Sequence, residues 1–249
     1  MKSVFVHNGD VAIHVLESGV PSPIMPSLLV IEGLWEPAER AIPILSALSG
    51  HVVTFSFRGR GLSSTPKTGY GLESHLSDIG AVVNHFGLKN YCVLGFSRGA
   101  SYALGWTLAH QQDMCGLILV DQPPVHGKPG PGYVDFWAGL VYLDVPILNF
   151  MRRSALEGLE REAEQIDFSA RLHELRIRVA FFVGRNRAAA IPSNVDDEII
   201  AQYRKAIPSI KVVDFLKSGH MIPDEEPEKY VTQIAAFLRR LKEAENKAQ

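Results

Sequence analysis

Short apolar segments alternate with helix-type patterns along most of this chain. Seven segments are rich in β-branched and other apolar residues, as buried strands are; they are Val11–Leu16, Leu28–Ile31, Val52–Phe55, Tyr91–Leu94, Leu117–Val120, Val179–Val183 and Ile210–Phe215. Between most of them apolar residues recur at helical spacing, which predicts helices around Leu76–Phe86, Val195–Tyr203 and Tyr230–Leu241. Strands that alternate with helices predict an α/β fold with a mostly parallel sheet covered on both faces.

This alternation stops between residues 122 and 176. The stretch opens with a segment rich in proline and glycine, residues 123–132, which suits neither a helix nor a central strand. It then carries many aromatic and aliphatic residues, Phe136 and Trp137 among them. We interpret residues 122–176 as a mostly helical cap inserted into a core of residues 1–121 and 177–249. The polar tail from Lys242 to Gln249 is expected to fray.

Composition and charge narrow the class of partner. The chain has 249 residues, of which 46% are hydrophobic, enough for the core of a single α/β domain. Its formal net charge is −2 and no run of Lys or Arg exceeds two residues, so we expect neither nucleic acid nor an anionic membrane as a partner. No apolar stretch is long enough to span a membrane, and the first ten residues lack the apolar part of a signal peptide. We therefore expect a cytoplasmic monomer or homodimer that binds a small molecule.

Metal and cofactor patterns are weak in this sequence. Cys92 and Cys115 both fall in apolar runs, so they are interpreted as packing residues and not as a disulfide. His173 and Glu174 begin like a zinc-protease helix, but the second histidine of that pattern is missing. The Gly-x-Gly string at residues 59–61 lacks the third glycine of a dinucleotide-binding loop. We expect neither a metal nor a cofactor.

The strongest sign of chemistry is a serine between two glycines. Ser97 lies between Gly95 and Gly99, after the apolar segment Tyr91–Leu94 and before a helix-compatible segment, residues 98–110. At so tight a turn, a side chain two residues before or after the serine would clash with neighbouring backbone, and glycine avoids the clash. The pattern predicts a nucleophile elbow at the carboxyl end of a strand. The alternative is a serine in an ordinary glycine-rich turn.

A serine nucleophile needs a base within hydrogen-bond reach, which is most often a histidine. His220 is the best candidate, because its loop follows the last predicted strand and precedes the last helix, and such a loop ends beside the elbow in a doubly wound sheet. His126, at the start of the cap, is a candidate for substrate contact. Six other histidines fall at strand or helix positions away from this edge: His7, His14, His51, His75, His85 and His110.

Two further segments complete a familiar pattern. Arg58-Gly59-Arg60-Gly61-Leu62-Ser63 follows the apolar segment Val52–Phe55, and Gly33-Leu34-Trp35-Glu36 follows the segment Leu28–Ile31. With Ser97 and His220, these segments make the chain resemble the α/β-hydrolase superfamily, and within it small capped bacterial hydrolases of the carboxylesterase and lactonase type. The resemblance implies an eight-stranded, doubly wound, mostly parallel sheet with a helical cap after the sixth strand. It also implies an oxyanion hole formed by the backbone N–H groups of Leu34 and Arg98.

The third catalytic residue departs from the commonest pattern of the superfamily. The usual acid follows the seventh strand, but Arg187 stands at that place. The superfamily's other arrangement puts the acid after the sixth strand, which makes Asp121 the residue that orients His220. An aspartate there can also simply cap a turn. Three carboxylates further along remain candidates, although a helix start explains them as well: Asp196, Asp197 and Glu198.

A second departure is Glu32, which stands where a histidine usually precedes Gly33. A negative charge there opposes a developing oxyanion unless the carboxyl is protonated or paired, for instance with an arginine.

Together these features predict a cofactor-independent serine hydrolase that cleaves an ester, thioester or lactone of a small apolar substrate through an acyl-enzyme on Ser97. The candidate substrate-binding residues are Trp35, Phe136, Trp137 and Met221. Two other functions stay open: a small-molecule sensor on the same fold, and a cofactor-free oxygenase or lyase in the same pocket.

Overall fold

The centre of the molecule is an eight-stranded sheet, seen in a computed structural model that describes residues 1–245. Its strands are β1 (Lys2–Asn8), β2 (Val11–Ser18), β3 (Leu28–Ile31), β4 (Val52–Phe55), β5 (Tyr91–Phe96), β6 (Met114–Val120), β7 (Arg178–Gly184) and β8 (Lys211–Phe215). They lie side by side in the order β1-β2-β4-β3-β5-β6-β7-β8. β2 pairs antiparallel with β1 and β4, and the other neighbours are parallel. The predicted mostly parallel, eight-stranded α/β sheet is confirmed.

Helices cover both faces of the sheet. They are α1 (Ile42–Ala47), α2 (Leu72–His85), α3 (Arg98–His110), α4 (Tyr133–Ala138), α5 (Arg153–Glu162), α6 (Asp197–Ala206), α7 (Ile222–Glu225) and α8 (Pro227–Glu245). Alternate residues of β3 belong to different cores: Leu29 packs with residues of α2, α3 and α6, and Leu28 packs with residues of α1 and α8. Since side chains of a strand point to opposite faces in turn, a strand buried on both sides is apolar throughout.

The segment between β6 and β7 is less helical than predicted. It contains α4, α5 and two 3-10 turns, Ile147–Asn149 and Ser169–Glu174, together with two short antiparallel pairings. One pairing joins Val125–His126 to Ile166–Asp167, and the other joins Val141–Tyr142 to Val145–Pro146. The prolines and glycines of this segment break its helices into short pieces. Met151, Leu156 and Leu159 are fully buried and join it to the core beneath.

Two further differences concern the ends of the chain. The apolar pattern did not predict β1, because β1 is an edge strand with one buried side chain, Val6. At the other end α8 continues to Glu245, which places the first part of the tail expected to fray in a helix; residues 246–249 lie outside the described residues. Within residues 1–245 no helix is both long and apolar enough to cross a membrane.

Candidate active site

Ser97 sits in a strained turn between β5 and α3. Its backbone has φ 53° and ψ −129°, a conformation that non-glycine residues rarely adopt, and its N–H donates to the carbonyl of Val120 over 3.0 Å. A Cβ on Gly95 would lie 2.6 Å from the Gly99 carbonyl oxygen. A Cβ on Gly99 would lie 2.3 Å from the carbonyl oxygen of Glu32. Gly95 therefore lets the end of β5 lie against the start of α3, and Gly99 lets the elbow pass close to the end of β3.

Replacing Gly99 with alanine is expected to destabilise the fold, because the obstructing atoms are backbone oxygens that cannot rotate away. Overpacking of this kind costs about 1–3 kcal/mol or more. The midpoint of thermal unfolding should fall, and Gly50→Ala is the matched control, since a Cβ there meets nothing within 4 Å. Equal midpoints for the two variants would contradict the close approach at Gly99.

The chain folds so that Ser97, His220 and Asp121 form one line of hydrogen bonds. His220 Nε2 lies 2.9 Å from Ser97 Oγ, and His220 Nδ1 lies 2.7 Å from Asp121 Oδ2. With the proton on Nδ1, His220 donates a hydrogen bond to the Asp121 carboxylate, and its Nε2 accepts a hydrogen bond from the Ser97 hydroxyl. Phe96 stacks against the imidazole with ring centroids 5.3 Å apart. Ser97 is partly exposed and can be approached by a ligand, whereas Asp121 is completely buried.

Asp121 is held by donors that the sequence did not reveal. Besides His220, its carboxylate accepts the Gly184 N–H at 3.0 Å, the Ser193 hydroxyl at 2.6 Å and the Asn194 N–H at 3.1 Å. Four donors stabilise the negative charge and fix the plane of the carboxylate. Ser193 and Asn194 lie 72 and 73 residues beyond Asp121 in the chain, and no local pattern marks them.

The alternative carboxylates have local structural partners. Asp196 is the N-cap of α6 and accepts the Ile199 N–H at 2.8 Å. Asp197 is exposed and pairs with Arg185 at 2.8 Å, and the side chain of Glu198 is exposed on the first turn of α6. Arg187, at the place of the usual acid, donates to a backbone carbonyl. Asp121 is thus the carboxylate that the fold brings to His220.

The amides expected to form the oxyanion hole belong to two segments that adjoin the serine. Arg98 is the first residue of α3, where the helix offers its N–H no acceptor of its own. The Leu34 amide belongs to the loop after β3, and a Cβ on the preceding Gly33 would lie 3.3 Å from Ser97 Cβ. This loop therefore approaches Ser97 closely, as a hole built from its backbone amide requires.

The four candidate substrate-binding residues have different surroundings. Trp35 is buried, with its ring centroid 5.4 Å from those of Tyr142 and Phe150, so it packs the cap onto the core. Met221 is buried beside His220. Trp137 is partly buried, but Phe136 is 61% exposed and its ring contacts Trp137 edge-on.

Comparison with known proteins agrees with this fold. The model of the alpha/beta hydrolase family matches residues 28–233. The chain belongs to the alpha/beta hydrolase family. It is similar to an N-formylmaleamate deformylase of Pseudomonas putida, with 26% identity over 95% of this chain and 98% of that protein. Similar solved structures include an esterase from Exiguobacterium antarcticum (TM-score 0.76, 19% identity, 96% of this chain and 100% of that one). Another is an N-formylmaleamic acid deformylase from Pseudomonas putida S16 (TM-score 0.73, 21% identity, 94% and 100%). The protein is an enzyme of the hydrolase class.

Two buried carboxyl groups of this hydrolase lie next to the predicted oxyanion hole. Burial, and then the nearby Glu36, raise the pKa of Glu32 to about 8. Burial also raises the pKa of Glu36, whose Oε2 accepts the Trp35 N–H at 3.3 Å. Arg40, whose charge acts on both carboxyls, forms its own ion pair with Asp224. Glu32 is therefore protonated at neutral pH, which removes the negative charge expected to oppose an oxyanion.

The raised pKa of Glu32 predicts a pH dependence of stability in this hydrolase. Below pH 4.5 the carboxyl is protonated both folded and unfolded; between pH 4.5 and about 8 only the folded protein keeps the proton, so its contribution to stability falls as pH rises. Glu32→Gln is neutral throughout. From about pH 5.5 to about pH 7.5 the free energy of unfolding of the wild type should fall by roughly 2 kcal/mol relative to this variant.

Urea unfolding at several pH values, run in parallel on both proteins, measures this difference. A constant difference across the window would show that Glu32 is ionised in the folded hydrolase.

Proposed function

We propose that the protein is a cofactor-independent serine hydrolase that forms an acyl-enzyme on Ser97. The observation that carries this proposal is the line of hydrogen bonds from Ser97 Oγ through His220 to Asp121, at 2.9 Å and 2.7 Å. A serine hydroxyl is a weak nucleophile until a base accepts its proton, and an imidazole accepts it best when a carboxylate holds the imidazole in the right tautomer.

The reaction takes place in two halves. Ser97 Oγ attacks the carbonyl carbon of the substrate while its proton passes to His220 Nε2, and the Leu34 and Arg98 amides stabilise the resulting oxyanion. The bond to the leaving group breaks, and His220 returns the proton to that group. A water molecule then gives a proton to His220 and attacks the acyl carbon, which releases the acid and restores the Ser97 hydroxyl. Asp121 stabilises the imidazolium in both halves.

The bond cleaved is that of an ester, thioester or lactone of a small molecule. The names of two relatives support this range. One is an esterase, and the other is a deformylase, whose name indicates a substrate with an N-formyl amide. The same triad serves all of these acyl compounds, and the cap decides which of them fits.

A panel of p-nitrophenyl esters of increasing chain length, combined with a fluorophosphonate probe, tests the proposal. We expect multiple turnovers and a single probe adduct on the peptide that contains Ser97, located by mass mapping. Turnover without an adduct on Ser97 would exclude the acyl-enzyme. An adduct with very slow repeated turnover would favour a sensor of small molecules.

A further inference from the structure

Two arginine side chains that the hydrolytic steps do not use lie near the elbow without a counter-charge. Arg60 is completely buried and Arg98 is partly exposed. The neighbouring Arg58, which is also buried, is paired with the carboxylate of Asp78. Among the side chains that the structure describes, neither Arg60 nor Arg98 forms an ion pair. A buried cation without an anion is costly, so the absence of a carboxylate here calls for a ligand that supplies one.

The Arg98 guanidinium is held by neutral acceptors and keeps free donors. Its Nε–H donates to Tyr102 Oη at 3.0 Å, Nη1 donates to the Gly127 carbonyl at 2.9 Å, and Nη2 donates to His126 Nε2 at 3.1 Å. A guanidinium has five N–H donors, so two remain for a ligand. Arg98 directly follows Ser97 and both residues are partly exposed, so neither is sealed off from solvent.

Arg60 has an unused nitrogen in the interior. Its Nε donates to the Leu34 carbonyl at 2.9 Å, and Nη1 lies 2.8 Å from the Arg58 carbonyl oxygen and 2.9 Å from His75 Nε2. Nη2 is buried and has no hydrogen-bond partner in the described part of the chain. A buried cationic nitrogen without an acceptor loses its hydration and gains nothing in exchange.

The two histidines that accept from these guanidiniums do not bring further charge. Burial, and then Arg98, lower the pKa of His126 to about 3. Burial, and then Arg60, lower the pKa of His75 well below its usual value. Both rings are therefore neutral, with Nδ1–H donating to Ser101 Oγ in His126 and to the Gly71 carbonyl in His75. Two positive charges remain without an opposing one.

The cap adds a third free polar group to this region. The hydroxyl of Tyr133, on α4, is buried and has no hydrogen-bond partner among the described residues. Burial raises its pKa, and the positive charges of Arg98 and Arg60 act in the opposite direction. The hydroxyl therefore lies within electrostatic range of both guanidiniums. Arg98 comes from the elbow, Arg60 from the loop after β4 and Tyr133 from the cap.

Both arginines are attached to the residues expected to form the oxyanion hole. Arg98 supplies one of the two amides, and Arg60 bonds the carbonyl of Leu34, which supplies the other. Both guanidiniums are therefore linked to the two segments that are expected to form the hole.

We propose that Arg98, Arg60 and Tyr133 form a subsite for a carboxylate of the substrate, so that the hydrolase acts on an ester or amide that also bears a carboxylate. This inference rests on the proposed function and departs from the apolar substrate expected from the sequence, because the proposed substrate carries a negative charge. A carboxylate is planar, matches the fork of a guanidinium, accepts from a tyrosine hydroxyl and supplies the missing negative charge.

Paired substrates test the subsite directly. We would compare p-nitrophenyl monoesters of succinic, glutaric and adipic acid with the p-nitrophenyl esters of the corresponding half-amides, which have the same shape without the charge. Spontaneous hydrolysis is subtracted, because a neighbouring carboxylate accelerates it. In the wild type the ratio of kcat/KM, carboxylate over carboxamide, should reach about 10 to 100 at the best length. Glutarate should also inhibit competitively at constant ionic strength.

Variants then show which residues produce the preference in kcat/KM for the carboxylate ester. Arg98→Gln should lower it at least about tenfold, and Tyr133→Phe should lower it severalfold, since each removes a donor to the carboxylate. The matched control is Arg153→Gln, which removes an exposed cap arginine already paired with Asp135 and Glu157 and should leave the ratio as it is.

Wild-type ratios near one at all three lengths would overturn the subsite, and so would inhibition by inorganic phosphate without inhibition by glutarate. Tyr133→Phe keeps the test decisive if Arg98→Gln fails to fold. The proposed function is judged separately, by turnover of the neutral half-amide esters and by labelling of Ser97.

Discussion

Replacing Ser97 with alanine should lower kcat/KM for an activated ester by about 10⁴-fold or more. In the proposed mechanism this hydroxyl attacks the acyl carbon, and the other two triad residues cannot replace it, since His220 then has no serine proton to accept. Residual turnover should come only from binding and from the oxyanion hole. Steady-state kinetics on p-nitrophenyl butyrate, together with loss of the fluorophosphonate adduct, measure the effect.

The matched control for this variant is Ser77→Ala, which removes an exposed hydroxyl on α2 that bonds Asn8. It should keep wild-type turnover. Alanine at position 97 also leaves the backbone strain unchanged, because the turn keeps a positive φ at this position. Unfolding midpoints of the two variants should therefore be similar, and a wild-type rate in Ser97→Ala would exclude the acyl-enzyme mechanism.

The sequence predicted the central part of the fold closely because that part is buried on both sides. β3 and β4 begin and end where the apolar runs do, since every residue of these strands is buried. α3 also starts and ends as predicted, because the elbow fixes its first residue. β1 and the cap were harder to predict from the sequence. An edge strand is only partly apolar, and the cap takes its shape from contacts with the core.

The residues of the candidate site likewise fall into those that the sequence indicates and those that it does not. Ser97 and His220 are marked by local patterns, a glycine pair around one and a loop position for the other, and the fold brings them within 2.9 Å. Asp121 followed from a family resemblance and not from its neighbours in sequence. Ser193, which holds its carboxylate, and Arg60, whose charge lacks a partner, are set by contacts between distant segments, and no pattern along a single chain indicates such contacts.

Replacing the Asp121 carboxylate, which lies next to His220, is expected to have the second large effect on activity. In Asp121→Asn an amide nitrogen must occupy one of the two positions that now accept hydrogen bonds. If the nitrogen faces His220, it donates to Nδ1 and forces the proton onto Nε2, so the imidazole can no longer accept the proton of Ser97. If the nitrogen faces the other way, it meets the Gly184 N–H and the Ser193 hydroxyl, which now donate to Oδ1.

We therefore expect kcat of Asp121→Asn to fall by about three to four orders of magnitude. Asp196→Asn is the matched control, because asparagine caps a helix as well as aspartate does and the Asp196 carboxylate bonds the Ile199 N–H at the start of α6. Its rate should stay near that of the wild type. The opposite pattern, a normal rate in Asp121→Asn and a large loss in Asp196→Asn, would move the role of the acid to the start of α6. Circular dichroism of both variants separates a change in chemistry from a loss of folding, because the wrong tautomer alone leaves the fold intact.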